Sequence, residues 1–330
     1  MEAPACELCG SPRSEVVVRQ KDLLHQVTDE IYSIVRCVSC GFLYLSPRPT
    51  EEEIGRFYPE TYYAAPAPPR RFSGVKRWVM EDYYGYPSRS PRSILHGLRK
   101  MVLWPEMMRR RLTGRTILPW VGKGRLLDIG CGHGVSAAML AQQGWEVYGL
   151  DFSQVAADHA RALLGEERVH VGDLYSAHYP DRRFDVVLMS HALEHLYRPK
   201  KVLAEVRRIL DDEGVLVVAV PNAESWEAAL CGRWWGPWDP PRHLYHFTKE
   251  SLTRLLAQAG FAVIQLRTGV TSTHLTSSLD RAWMESRHRA LPLKRQLEQC
   301  VLRPFSLIAG NLHAGTELLV QARKQGVTGP

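Results

Sequence analysis

The 330-residue chain has no long apolar run. Its longest uncharged stretch, Ile129–Trp145, contains a glycine turn and is too short to span a bilayer. The first residues, Met-Glu-Ala-Pro-Ala-Cys, lack the basic-then-apolar pattern of a secretion signal, so a cytoplasmic, reducing compartment is expected. No base-reading motif accompanies the net charge of +7. That charge is local: residues 70–125 hold fourteen Lys/Arg against three acids (Glu81, Asp82, Glu106), which leaves the rest of the chain mildly acidic. A nucleic-acid argument from the overall charge therefore fails. What is present, 45% hydrophobic and 23% charged residues, is the balance of a soluble globular protein. The length suits one α/β domain with accessories.

The most informative stretch is Arg125–Gly134, Arg-Leu-Leu-Asp-Ile-Gly-Cys-Gly-His-Gly. Leu126, Leu127 and Ile129 suit a short buried strand, and Gly130, Gly132 and Gly134 follow at once. Val135–Gln143 reads as a helix closed by Gly144. Strand, glycine turn and helix start make a nucleotide-binding corner, because glycine admits positive φ and lets a ligand approach helix-start N–H groups. A second strand, Glu146–Leu150, ends in Asp151, seventeen residues after Gly134, where a carboxylate takes ribose hydroxyls. The spacing is GxGxG and not the dinucleotide GxGxxG.

On these residues the chain resembles the class I S-adenosylmethionine-dependent methyltransferases. The resemblance makes Leu126–Gly134 the first motif and Asp151 the ribose-binding acid. Further strands are expected at 168–172, 185–190 and 215–220, with helices at 153–164 and 199–210. Thr248 caps another helix, and Phe261–Leu266 and Glu317–Ala322 close the alternation. This pattern argues a doubly wound parallel α/β sheet. The resemblance implies seven strands in the order 3-2-1-4-5-7-6, the seventh antiparallel.

The cysteines are organised. Cys6-x2-Cys9-Gly10 and Cys37-x2-Cys40-Gly41 are two knuckles whose four thiolates make a tetrahedral site. Structural zinc is expected, with rubredoxin-like iron as the other metal and a disulfide pair as the non-metal reading. Glu15–Gln20 and Ile31–Arg36 look like strands between the knuckles, and Thr50 with Glu53 reads as a capping box opening a helix. A knuckle pair running into CGFLYLSPRPTEEEIGRFYPETYY resembles the N-terminal zinc module of a bacterial methyltransferase group that includes sugar C-methyltransferases. Those enzymes usually add a large C-terminal domain that this chain is too short to hold. The expected organisation is a zinc module at 1–49, a linker and basic helical segment at 50–122, and the methyltransferase domain at 123–330 with acceptor-pocket inserts at 223–247 and 271–315. Within 93–112 a basic helix is expected to pack Ile94, Leu95, Leu98, Met101, Val102, Met108 and Leu112 on the catalytic domain. A surface for anionic lipid or a phosphate-bearing substrate is the alternative, with Trp104 and Arg109–Arg111 at the interface.

Ligands of open α/β sheets lie beyond the carboxyl ends of the strands. That rule selects Asp128, Gly130, Cys131, Gly132, Gly134, Asp151, Phe152, Asp173, Leu174 and Ser190 for the cofactor. By resemblance Asp173 holds the adenine amino group, Leu174 lies beside the ring and Phe152 covers its other face. Phe184–Leu196, ending in Ser-His-Ala-Leu-Glu-His-Leu, matches the fourth-strand motif of ubiquinone-type methyltransferases. Its His191-x2-Glu194-His195 also resembles the Glu-x-x-Glu-His of metal-assisted O-methyltransferases, with His191 in place of the first Glu. A divalent site from His191, Glu194, His195 and His243 or His246 is chemically reasonable, and a packed helix start is the plainer reading. The insert after the fifth strand carries Trp226, Trp234, Trp235, Trp238 and the cluster Arg242, His243, Tyr245, His246.

S-Adenosylmethionine-dependent O-methylation of a small molecule or glycan is the expected activity, with His243, His195 or His246 as base and Arg242 able to hold an anionic acceptor. C-methylation of a nucleotide-activated sugar is the runner-up. RNA methylation is a further rival, though nucleic acid is not an expected partner.

Overall fold

The computed structural model describes residues 1–59, 62, 74–87, 95–112, 118–269, 278–279, 282–283 and 314–326. Seven strands form the main sheet: β4 (Arg125–Ile129), β5 (Glu146–Asp151), β6 (Val169–Val171), β7 (Phe184–Ser190), β8 (Leu210–Pro221), β10 (Phe261–Gly269) and β11 (Glu317–Lys324). Their order is β6-β5-β4-β7-β8-β11-β10, with β11 antiparallel to both neighbours and the others in this run parallel. This is the expected 3-2-1-4-5-7-6 arrangement. Helices α3 (Val135–Ala141), α4 (Gln154–Leu164), α5 (Pro199–Ile209) and α7 (Lys249–Gln258) supply the crossovers. Val215–Pro221 is buried without a break, as a strand covered on both faces requires.

The N-terminal residues form a second, four-stranded antiparallel sheet. It contains β1 (Ser14–Gln20), β2 (Tyr32–Cys37), β3 (Leu43–Leu45) and, as its fourth strand, β9 (Tyr245–His246) from the insert after β8. Leu43 pairs with His246 and Tyr44 with Tyr245, and the Leu45 N–H donates to the Leu244 carbonyl at 2.9 Å. Phe42 stacks on Tyr245, ring centroids 5.5 Å apart at 10°. One hydrophobic cluster runs through both sheets, from Leu8, Ile34 and Phe42 to Leu127, Val187 and Val218.

Two local expectations are corrected. Thr50 and Glu53 open only a 3-10 turn, Ile54–Phe57, whose N-cap residue is Glu53 and has no side-chain cap bond. Glu53 does take the Thr50 N–H at 2.9 Å, but the same carboxylate binds the amino terminus at 2.8 Å, which secures the chain end in place of a helix. The basic segment forms α1 (Gly74–Tyr83) and α2 (Leu95–Leu112), yet Leu98, Met101 and Val102 face solvent. Among the described α2 side chains Leu103 is buried, and α2 is held to α1 by Arg99 on Asp82 (2.6 Å) and Glu81 (3.4 Å). Leu98, Met101 and Val102, expected inward, thus face outward; Met108 is half-buried, and Ile94 and the side chains of Leu95 and Leu112 lie outside the described residues. Most of the 271–315 insert lies outside the described residues.

Candidate active site

The corner after β4 is built by three left-handed glycines, with φ of 75° at Gly130, 52° at Gly132 and 72° at Gly134. They turn the chain back so that Gly130 N–H and Cys131 N–H both donate to the Leu150 carbonyl, at 2.8 and 3.1 Å. A Cβ on Gly130 would stand 2.9 Å from the Ala192 methyl, and one on Gly134 would stand 2.8 Å from the Ala160 backbone. On Gly132 it would meet nothing within 4 Å. The outer glycines are therefore demanded by packing, whereas the middle one presents bare main chain to open space. That is the cradle a nucleotide-like ligand needs.

Asp151 ends β5 beside this turn, buried, accepting the Gly132 N–H at 2.8 Å and the Ser153 N–H at 2.9 Å. Burial raises its pKa, and burial together with the Asp151 charge pushes Asp128 up to about 7. Cys131 is buried, Leu174 is buried, and Phe152 and Ser190 are exposed at the strand ends. Asp173 accepts the Ser176 N–H at 2.7 Å, a turn role that the residue already fills before any ligand contact.

Across the sheet, β7 runs out into the 3-10 turn Leu193–His195, and the insert returns above it. The Leu244 N–H donates to the Glu194 carbonyl at 2.8 Å, which brings Glu194, His195 and His243 together. One ligand atom from each of the three lies within 4.8 Å of the others. Glu194 is fully buried, and neither of its carboxylate oxygens has a hydrogen bond among the described residues, His191 Nδ1 standing 3.4 Å from Oε1. His243 Nδ1 lies 2.8 Å from the Pro237 carbonyl, which only accepts, so Nδ1 carries a proton and Nε2 is the atom left to face the cluster. His195 Nδ1 is held the same way, 3.1 Å from the Arg242 carbonyl and 3.0 Å from the Tyr58 hydroxyl. Burial, and then the neighbouring His243, lower the His195 pKa to about 4, leaving a neutral imidazole. Main-chain orientation of two imidazoles toward a buried carboxylate is the outer-shell arrangement of metal sites. A donor set of two imidazoles and one carboxylate suits a first-row divalent ion.

His246, on β9, is buried edge-on to Trp238 at 4.8 Å, and its Nε2 has no partner among the described residues. Arg242 does not face an acceptor. Its guanidinium is fully buried between Asp22 (2.6 Å) and Asp239 (2.6 Å) and also donates to the Phe57 carbonyl at 3.0 Å. Trp235 and Trp238 are core residues.

Four contributors escaped the sequence reading. Asp22 and Asp239 carry no motif, and Asp22 meets Arg242 across 220 residues. Tyr58 lay in a stretch read only as part of a module, yet its ring packs edge-on to Phe152 at 5.2 Å while its hydroxyl reaches His195. It spans the cofactor corner and the histidine cluster. Glu317, at the start of β11, accepts from or pairs with His191 Nε2 at 3.0 Å.

The cysteine cluster has its own symmetry. Gly10 N–H donates to the Cys6 carbonyl at 2.7 Å and Gly41 N–H to the Cys37 carbonyl at 2.9 Å, with φ of 75° at both glycines. Cys6 and Cys40 sulfurs are 3.5 Å apart, as are those of Cys9 and Cys37, and all four are free thiols within 4.8 Å of one another. Four ligands about 2.3 Å from a shared tetrahedral metal would have sulfur–sulfur distances close to these.

A glycine cradle and an acid at the strand ends of a 3-2-1-4-5-7-6 sheet define a nucleotide-cofactor transferase architecture. A family model described as a methyltransferase domain matches residues 107–266. A probable S-adenosylmethionine-dependent methyltransferase of Mycolicibacterium smegmatis is 33% identical over 142 residues, 42% of this chain and 52% of that protein. A ubiquinone biosynthesis O-methyltransferase of Thiobacillus denitrificans is 33% identical over 174 residues, 49% of this chain and 73% of that protein. Among solved structures, a methyltransferase of Thermotoga maritima described as a possible histamine N-methyltransferase is 20% identical, covering 68% of this chain and 98% of its own, with a TM-score of 0.45. The chain spans about half the length of the mycobacterial relatives, 52% of the first and 50% of the second. It belongs to the class I S-adenosylmethionine-dependent methyltransferases.

Proposed function

We propose that this chain methylates a hydroxyl of a small-molecule, glycan or natural-product acceptor at the expense of S-adenosylmethionine. The observation that carries this reading is the Glu194–His195–His243 cluster, joined through Tyr58 to Phe152 beside the glycine cradle. Asp128, Gly130, Cys131, Gly132, Gly134, Asp151, Phe152, Asp173, Leu174 and Ser190 would hold the cofactor, which supplies a sulfonium-bound methyl for in-line displacement. The protein aligns the acceptor oxygen and takes its proton as the carbon–oxygen bond forms and the carbon–sulfur bond breaks. An imidazole Nε2 serves this, and His243 is ranked before His195, with His246 third because it is closed in by Trp238.

A second reading is favoured by the same cluster. Glu194 is buried with neither oxygen hydrogen-bonded among the described residues and His191 Nδ1 3.4 Å from Oε1, and a divalent cation on Glu194, His195 and His243 would further offset the cost of burying its charge. Such an ion would bind and acidify the acceptor oxygen. The Cys6, Cys9, Cys37 and Cys40 set fits a structural zinc, with no open ligand position. C-methylation of an activated sugar remains the alternative chemistry.

Calorimetry and labelled-methyl incorporation test the proposal. Asp151→Ala should weaken S-adenosylmethionine binding by roughly 1–3 kcal/mol through loss of charge-assisted hydrogen bonds. His243→Ala should lower turnover by about 10²-fold or more with cofactor affinity unchanged. If a chelator reproduces the His243→Ala defect and added divalent ion reverses it in the unmodified enzyme, the metal reading replaces the base reading. Unchanged turnover in His195→Ala, His243→Ala and His246→Ala alike would exclude both.

A further inference from the structure

The helical hairpin of α1 and α2 presents its apolar side outward. On α2, Leu98, Met101 and Val102 stand at helical spacing on one face and are 55%, 68% and 72% exposed. Trp104 is 55% exposed, and Trp78 and Val75 of α1 are also exposed. Leu103, on the other side of α2, is 6% exposed, and Val79 and Met80 anchor α1 inward. A soluble helix ordinarily turns its apolar stripe to the core and its charges to water. Here the stripe is left over after the hairpin has packed. Contiguous apolar surface of this kind marks an interaction face.

The charge of the hairpin selects the partner. Glu81 and Asp82 are both taken up by Arg99 inside the hairpin, with side chains 7% and 0% exposed. Two of the three acids in residues 74–112 are thus neutralised internally, against nine Lys/Arg in the same span. Arg99 also lies 5.8 Å from the Trp78 ring centroid, so cationic and aromatic groups are interleaved. A second copy of the chain would bring the same positive surplus to the face and be repelled. Nucleic acid would satisfy the charge and leave the aliphatic stripe in water. A bilayer with anionic headgroups satisfies both, since acyl chains take Leu98, Met101 and Val102 while tryptophans and basic side chains sit at headgroup level. No helix among the described residues is long and apolar enough to cross a membrane, so this contact would lie in the plane of the interface.

We infer that the α1–α2 hairpin is a docking surface for an anionic lipid bilayer. This inference does not depend on which acceptor is methylated or on how its proton leaves. The test is sedimentation of the full chain with vesicles of phosphatidylcholine alone and with phosphatidylglycerol as about a third of the lipid. The chain should sediment with the anionic vesicles and stay in solution with the neutral ones, and raising salt from roughly 0.1 to 0.5 M should release it. Met101→Glu/Val102→Glu, two changes at solvent-facing positions, should weaken the association about tenfold or more. Unchanged S-adenosylmethionine affinity and circular dichroism would show that this variant is folded. Brominated acyl chains should quench tryptophan fluorescence in the parent chain and less in Trp78→Phe/Trp104→Phe. Absence of sedimentation with anionic vesicles, binding that ignores salt, or binding retained by Met101→Glu/Val102→Glu would overturn the inference. So would a dimer of the parent chain that the same variant dissociates.

Discussion

Glu227 is buried in the short helix α6 (Trp226–Cys231), and both of its carboxylate oxygens lack a hydrogen bond among the described residues. Burial, reinforced by the Glu317 charge, pushes its pKa up to about 8. An unfolded chain ionises this group near 4.5, so between about 4.5 and 8 the unfolded state has fewer protons and stability falls as pH rises. Glu227→Gln should remove that slope and raise the melting temperature most at the alkaline end. Chemical denaturation at pH 5 and pH 8 checks it, and an equal effect at both would mean the carboxyl is not held neutral. Tyr58 calls for a different measurement. Tyr58→Phe keeps the ring on Phe152 and deletes only the hydroxyl on His195. It should shift the alkaline or acid limb of the pH–rate profile with cofactor affinity unchanged, whereas a purely structural role would leave the limbs in place. At this scale the glycine turn after β4 could be read directly, since glycine spacing is a local property. The engagement of Arg242 could not, because its partner Asp22 lies 220 residues away in the loop after β1.

Among the elements, β9 has the largest consequence relative to its length. Two residues, Tyr245 and His246, complete the N-terminal sheet and lead directly from His243. The second cysteine knuckle ends at Gly41, one residue before Phe42 and two before β3, so a metal bound at the cysteines would be mechanically coupled to β9. Metal analysis should give about one zinc per chain from a four-ligand site. Cys37→Ser/Cys40→Ser should abolish that content and raise hydrogen exchange at 243–247, with the β4–β5 corner protected as before. Equal protection at 243–247 in the variant would show the two to be independent. The crossover helices and buried strands followed from their hydrophobic periods, to within a few residues at their ends. The orientation of α2 did not, because a 3.6-residue period identifies an apolar face but not what lies against it.

Across the whole molecule, one hydrophobic cluster joins both sheets, and the buried Arg242–Asp22–Asp239 group ties the loop after β1 to the insert that leads into β9. Removal of one partner from such a group leaves an uncompensated charge and costs several kcal/mol, about 3–5 in comparable cases. Asp22→Ala should therefore destabilise the catalytic sheet as well as the N-terminal one. Far-ultraviolet dichroism and tryptophan fluorescence should report a single coincident transition, at lower temperature in the variant; two separated transitions would show that the sheets fold independently. The seven-stranded order was legible from alternation and family resemblance. The second sheet's closing strand was not, since strand pairing at long range leaves no local pattern.

That closing strand also bears on how the chain is made. Arg48 precedes Tyr245 by 197 residues, and β3 is emerging from the ribosome long before the segment that will cover its free edge has been translated. At about 5–20 residues per second, the delay is on the order of 10–40 s. During that interval Leu43, Tyr44 and Leu45 offer unpaired main-chain groups and an apolar surface to any neighbouring nascent chain. The two cysteine knuckles, complete by Gly41, are in a position to fold locally in the meantime. Early capture of a metal ion would then act as a placeholder for β9, limiting misassociation until the catalytic half arrives.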